Sequence, residues 1–202
     1  MLQVEVWSDI VCPWCRIGHS HLRQAIQDSG QQVKVLHRAF QLDPTATAEP
    51  VRDALQRRYG PRANVAEMFE RVRRIGETEG IRFDFDRAIA ANTGPAHQVI
   101  LARQAAGHDP RPILDALMAK HFEEGQDLGD PAVLRATAQH IGMAPADVDA
   151  ALSSSALKAQ VQQDQRRAHS LGISGVPFFL LGQHGVAGAQ PAAVLERLLT
   201  AA

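Results

Sequence analysis

The sequence predicts an α/β fold: a small mixed sheet with helices on both faces, interrupted by a large all-helical insertion. Three observations predict it. A strand-like run near the N-terminus leads directly into a Cys-x-x-Cys at the head of a helix, and a second strand follows. Residues 45 to about 150 then carry helix-like runs with no convincing strand. From residue 153 the chain returns to a helix, two short strands and a last helix.

Residues 3–9 read as a buried strand. The helix that begins at Pro13 and runs to about Gln27 places proline at its first turn, where a missing N–H costs little. Ile17, Leu22, Ala25 and Ile26 form its apolar side, and Ser29-Gly30 stops it. Val33 to Phe40 alternates with period two and reads as the second strand. A β-α-β unit of this kind favours a parallel pair joined by a right-handed crossover. In the middle block the helical runs are 50–59, 64–79, 86–92, 95–106, 111–124, 131–141 and 145–152, punctuated by Gly60-Pro61, Gly80, Thr93-Gly94, Gly107, Gly125, Gly129-Asp130 and Gly142. Residues 155–171 form another helix, with Gly172 as its C-cap. Val176 to Leu181 reads as a short buried strand, His184 to Ala189 as a tight turn into a last strand, and Pro191 to Leu199 as the closing helix. The two ends together make the thioredoxin pattern. The expected division is a discontinuous domain of residues 1–44 and 153–202, with 45–152 as an inserted helical domain.

Composition bounds the function. The 202 residues are 45% hydrophobic and 21% charged, enough to bury a core. A net charge of −1 implies no broad attraction to nucleic acid or to an anionic membrane. No run approaches the length of a membrane span, and no basic stretch followed by an apolar core resembles a signal peptide. The expected compartment is the cytoplasm, where a Cys-x-x-Cys is redox-active or metal-binding rather than structural.

Cys12 and Cys15 are the only cysteines. Three residues apart at a helix start, they lie on one face, close enough to form a disulfide and release it. The first faces free N–H groups and the positive end of the helix dipole, which favour thiolate. Cys12 is then the attacking nucleophile and Cys15, one turn further in, the resolving thiol. Pro13 and Trp14 set the stiffness and local field of the turn. Val176-Pro177 suggests a special turn, because cis X-Pro bonds are found in such tight turns. A cis bond there exposes the backbone of Val176 to pair with an extended substrate, and Gly175, having no Cβ, admits a second backbone. Trp7 and Phe40 read as core and His19 and His21 as surface residues of the helix. Asp9 reads either as a turn or cap residue or as a carboxylate assisting proton transfer. A zinc site would need His19, His21 or another histidine besides the cysteines, so no metal is expected.

Ser8-Asp9-Ile10-Val11-Cys12-Pro13-Trp14-Cys15-Arg16-Ile17-Gly18 resembles the active-site segment of the DsbA-like thioredoxin-fold oxidoreductases, in particular the FrnE-like branch. Agreement continues through Phe40-Gln41-Leu42-Asp43-Pro44, Asn92-Thr93 with Ala96-His97, Gly172 to Phe179, and Gly188-Ala189-Gln190-Pro191. The resemblance covers essentially the whole chain. It implies thiol–disulfide exchange, with Cys12 as nucleophile, Cys15 as resolving thiol, Pro177 as a cis-proline and Val176 as a backbone contact. The same superfamily holds the 2-hydroxychromene-2-carboxylate isomerases and kappa-class glutathione transferases, which bind glutathione and typically carry serine where this chain has Cys12. In that branch, residues matching Asn92 and Gly188-Ala189-Gln190 lie near the ligand.

The reading that emerges is a cytoplasmic thiol–disulfide oxidoreductase or isomerase. Its catalytic residues are Cys12 and Cys15, and its substrate contacts are Pro13, Trp14, Val176, Pro177, Asn92 and His97. The substrate is a protein or small-molecule thiol or disulfide, handled by a monomer or homodimer. No cofactor is needed beyond the redox-active Cys12–Cys15 disulfide, with glutathione as an admissible partner. Two other readings stay open: a glutathione-dependent isomerase or transferase, and a redox-sensing or metal-binding regulatory module.

Overall fold

A computed structural model describes residues 1–200. Strand β1 (Leu2–Ser8) lies between β2 (Val33–Ala39) and β5 (Phe178–Leu181), with β6 (His184–Ala187) on the outer edge, so the sheet order is β2-β1-β5-β6. The β1–β2 pair is parallel, and β1–β5 and β5–β6 are antiparallel. The parallel pair is joined by α1 (Pro13–Ser29), which starts on Pro13 and ends on Gly30 in the left-handed conformation at φ 62°.

Alternation along β1 serves two different faces. Val4 and Val6 join Val35, Phe179 and Leu181 under Leu22 and Ala25 of α1 and Leu195 and Leu199 of α9 (Ala192–Thr200). Trp7 points the other way, into a cluster with Phe40, Ala168 and Ile173. There its indole N–H donates to the Asp164 carbonyl at 3.1 Å. Trp7 and Phe40 are both core residues.

β2 is an edge strand, and its open backbone is satisfied by side chains. Gln104 of α4 (Gly94–Ala105) works as a clamp: its Oε1 accepts from the His37 N–H at 2.7 Å and its Nε2 donates to the His37 carbonyl at 3.3 Å. From α8 (Ser155–Ser170), Asp164 accepts the Ala39 N–H at 3.1 Å. Gln165 of the same helix accepts the Gln41 N–H at 2.8 Å.

Between β2 and α8 runs the helical insertion: α2 (Val51–Tyr59), α3 (Val65–Thr78), α4, α5 (Arg111–Phe122), α6 (Pro131–His140) and α7 (Pro145–Ser153). Its core, with Phe69, Val72, Phe83, Phe85, Leu117 and Phe122, is continuous with Ile10, Cys12, Cys15 and Ile17. Among the described residues no helix is long and apolar enough to cross a membrane.

Two expectations are corrected. The run 86–92 is not a helix. Ile89–Ala90 forms a short strand, β4, paired antiparallel with Glu49–Pro50, β3. The segment is too short to repay helix nucleation, and its backbone bonds across the chain instead, the Val51 N–H reaching the Ala88 carbonyl at 3.0 Å. At the C-terminal end, residues 184–187 are already strand, because the tight turn lies earlier, with Gly182 at φ 59°.

Candidate active site

The cysteines sit where β1 hands over to α1. Cys12 is the N-cap of α1 and uses no side-chain cap, and the turn before it is closed by its own N–H donating to the Asp9 carbonyl at 3.2 Å. Asp9 therefore contributes its backbone to the turn, while its side chain does not cap the helix. Both cysteines are free thiols. Cys12 retains 5% exposure and Cys15 none. Burial, a hydrogen bond with Cys12 and the charges of Cys12 and Asp9 hold the Cys15 thiol well above its ordinary value, against a backbone hydrogen bond at Asp9.

The loop before β5 completes the site. The Cys12 thiol donates to the Val176 carbonyl at 3.7 Å, and the Val176–Pro177 peptide is cis. The Pro177 carbonyl accepts from the Gly188 N–H at 2.8 Å, which ties this loop to the end of β6. Gly18 of α1 permits the approach: a Cβ there would lie 2.7 Å from Pro177 Cγ and 3.2 Å from Phe179 Cζ. Gly175 has open space where a Cβ would project.

Beside Cys12 opens a cavity of about 320 Å³. Pro13 and Trp14 are part of one side, Val51 and Leu55 of α2 and Phe69 and Val72 of α3 part of another, and Phe85, His121 and Phe122 part of a third. Arg16, the residue after Cys15, fastens α1 to this block: it pairs with Glu123, donates to the Arg82 carbonyl at 3.0 Å and lies over the Phe83 and Phe122 rings.

Of the substrate contacts expected from the sequence, Pro13 and Trp14 line this cavity beside Cys12, the Val176–Pro177 turn meets Cys12 through the Val176 carbonyl, and Asn92 and His97 do not line the cavity. Asn92 is an exposed loop residue whose Nδ2 donates to the Pro44 carbonyl at 2.9 Å and whose Oδ1 accepts from Gln41 and from the Gly94 N–H. His97 has no exposed surface and does not line the cavity. It belongs instead to a buried polar chain that runs from His19 to Asp9. His19 Nε2 meets Ser8 Oγ at 3.1 Å, Ser8 Oγ meets His37 Nδ1 at 3.4 Å, and His37 Nε2 meets His97 Nδ1 at 2.9 Å. His97 Nε2 faces Asp9 Oδ1 at 3.5 Å, without hydrogen-bond alignment and with no other partner. The other Asp9 oxygen accepts from the Leu42 N–H at 2.8 Å.

Burial pushes His19 down to about 3, with the charges of Arg23 and Arg111 acting in the same direction. Burial likewise holds His37 well below its ordinary range, helped by His97, His19 and Arg38. His19, which reads from the sequence as a surface residue, is 6% exposed, and His21 is half-buried between the Gln190 carbonyl at 2.8 Å and Glu79 at 3.2 Å. The reason is that α1 has two buried sides. The sheet and α9 cover the apolar one, and the helical insertion covers the other. A signal was present: His19 lies one turn from Cys15, on the same face, and His37 holds an inward position in the alternation Val35, His37, Ala39.

Comparison with known proteins agrees with this architecture. YwbO of Bacillus subtilis (strain 168), described as uncharacterised, is 26% identical over 98% of this chain and 96% of its own. The crystal structure of a probable DsbA oxidoreductase from Streptomyces coelicolor superposes with a TM-score of 0.89 at 30% identity, over 100% of this chain and 89% of that one. The cytosolic disulfide reductase DsbM from Pseudomonas aeruginosa matches with a TM-score of 0.72 at 22% identity, over the full length of both chains, a likeness of fold. The model of the DSBA-like thioredoxin domain matches residues 3–200, and the chain belongs to that family.

Proposed function

We propose that the protein exchanges disulfides through the Cys12–Cys15 dithiol. The observation that carries this reading is the juxtaposition of two free cysteines at the head of α1 with the Val176 carbonyl 3.7 Å from Cys12 Sγ. The Cys12 thiolate attacks one sulfur of a substrate disulfide. A Cys12–substrate bond forms, the substrate S–S bond breaks, and one thiolate leaves with the electron pair. Cys15, after losing its proton, attacks Cys12 Sγ, releases the second thiolate and closes the Cys12–Cys15 disulfide. Two electrons pass from the dithiol to the substrate, and a dithiol reductant restores the enzyme. The reverse sequence oxidises a substrate dithiol.

The difference in exposure between the cysteines supports this division of labour, since an incoming disulfide meets Cys12 first. Pro13, Trp14, Val176 and Pro177 are the contacts of the substrate in this reading. Action in the cytoplasm is part of the same proposal, with the two cysteines serving as a working pair rather than a structural staple. Retention of both cysteines favours dithiol exchange over glutathione-dependent isomerisation. Turnover of a model disulfide by the Cys variants tests it. Cys12→Ser should abolish turnover, and Cys15→Ser should accumulate mixed disulfides at Cys12. Full activity in Cys12→Ser refutes the proposal.

A further inference from the structure

The cavity beside Cys12 has three features that thiol exchange by itself does not require. First, its walls are apolar and aromatic, from Trp14, Phe69, Phe85 and Phe122. Tyr59 and Met68, two large apolar residues that remain exposed at 54% and 40%, belong to the same lining. Second, two cations line it without anionic partners. Arg52, Arg57 and Arg73 of the same two helices are ion-paired with Asp86, Glu49 and Glu70, whereas Arg58 and Arg71 have no ion pair among the described residues. Arg58 donates to the Leu42 carbonyl at 3.3 Å and lies over Tyr59, and Arg71 lies 5.9 Å above Trp14. Asp43 feels the charge of Arg58 but is not in contact with it. Third, His121 of the same lining is fully buried and neither of its ring nitrogens has a hydrogen-bond partner.

We propose that this cavity selects low-molecular-weight disulfides and thiols with an aromatic body and a carboxylate. The inference rests on the exchange reading above and names its substrate class. The aromatic body lies among Trp14, Phe69, Phe85 and Phe122, where offset and edge contacts add to area burial. The carboxylate meets Arg58 and Arg71, and a polar atom of the ligand reaches His121. Burial holds that imidazole down to about 4, so it is neutral at physiological pH and offers one donor and one acceptor. A volume of about 320 Å³ is at the small end of ligand sites and suits one such molecule. A folded protein substrate would reach only its mouth. The chemistry is unchanged: Cys12 attacks the ligand disulfide, one aromatic thiolate leaves, and Cys15 releases the other.

The test compares four disulfides on wild type and on Arg58→Gln/Arg71→Gln, with dithiothreitol as reductant. They are dithiobis(nitrobenzoate), dithiodipyridine, bis(hydroxyethyl) disulfide and cystamine. Both arginines are exposed, so the variant keeps its fold. Its kcat/KM should fall at least about tenfold on the dianionic aromatic disulfide, stay within about twofold on the two neutral ones, and hold or rise on the cationic one. Equal effects on all four overturn the selectivity. Binding of methylthiobenzoate, which cannot exchange, is followed by Trp14 fluorescence and separates the two proposals. Arginine-dependent binding without turnover of any disulfide retains this site and overturns the exchange reading. Turnover with arginine-independent binding does the opposite.

Discussion

Mild acid should destabilise this protein through histidines that the fold keeps neutral. His19, His37 and His121 are all held below the ordinary histidine range, chiefly by burial. Arg23 and Arg111 press further on His19, and His97, His19 and Arg38 on His37; Asp9 works in the opposite sense on His121 and Arg16 in the same sense as burial. A depressed histidine takes its proton first in the unfolded chain. Stability is therefore flat above about pH 7.5, falls once the pH drops below the unfolded value of ~6.5, and keeps falling until the folded groups titrate. At about pH 5 the unfolded imidazoles are charged, whereas folded His19 and His121, held to about 3 and about 4, are not. Each of these two then lowers stability by ~2 kcal/mol, at about 1.4 kcal/mol per pH unit, and the two together by ~4 kcal/mol, with His37 acting in the same direction. That is a large share of the ~5–15 kcal/mol that holds a typical domain together.

Asp115 and Asp164, raised by burial, act with the opposite sign and subtract from the slope where the two windows overlap. Urea unfolding followed by tryptophan fluorescence between pH 7.5 and pH 5 reads the effect directly. His121→Leu sharpens the test, because that ring has no hydrogen-bond partner to lose and lies against Phe122. The variant should shed about one proton of uptake and recover ~2 kcal/mol of the acid loss at pH 5. Unfolding midpoints that stay constant across this range would falsify the argument.

Two further outcomes follow from the geometry around the cysteines. Gly18→Ala places a Cβ 2.7 Å from Pro177 Cγ and should cost ~1–3 kcal/mol of stability, as overpacking does, while slowing exchange by displacing the Pro177 loop. Wild-type urea midpoints and rates in that variant would show that the loop yields freely. Asp9→Asn removes a charge that raises the Cys15 thiol while leaving an amide oxygen for the Leu42 N–H. Cys15 should then titrate lower, moving the pH dependence of its alkylation toward neutrality, and an unmoved or upward profile contradicts this.

Much of the molecule was legible in the amino-acid order because it rests on local signals. The Cys-x-x-Cys, the proline after the first cysteine and Gly30 at the helix end marked α1 to within two residues at its C-terminus. The two-residue alternation of Val33 to Phe40 marked β2, and its β-α-β context marked the parallel pairing with β1. Cys12, Pro13, Trp14, Val176 and Pro177 stand out through their own neighbours along the chain, although the two segments meet only in the fold. What failed was local too: the run 86–92 is apolar and alanine-rich enough to suggest helix, but it is short, and pairing with Glu49–Pro50 outweighed its propensity.

Sequence alone determined that two cysteines stand at a helix head and that a Gly-Val-Pro turn precedes a strand, because turns, caps and periodicity are properties of neighbours along the chain. Only the tertiary structure decided which polar groups would lose water. His19 reads as a surface residue until the insertion closes over the second side of α1. His97 reads as a ligand contact until β2 and Asp9 enclose it. His121 and the arginines of α2 and α3 have no visible link to Cys12 until the helices fold beside it. Desolvation depends on what arrives from far along the chain, and that arrangement is a sum over contacts no short window contains.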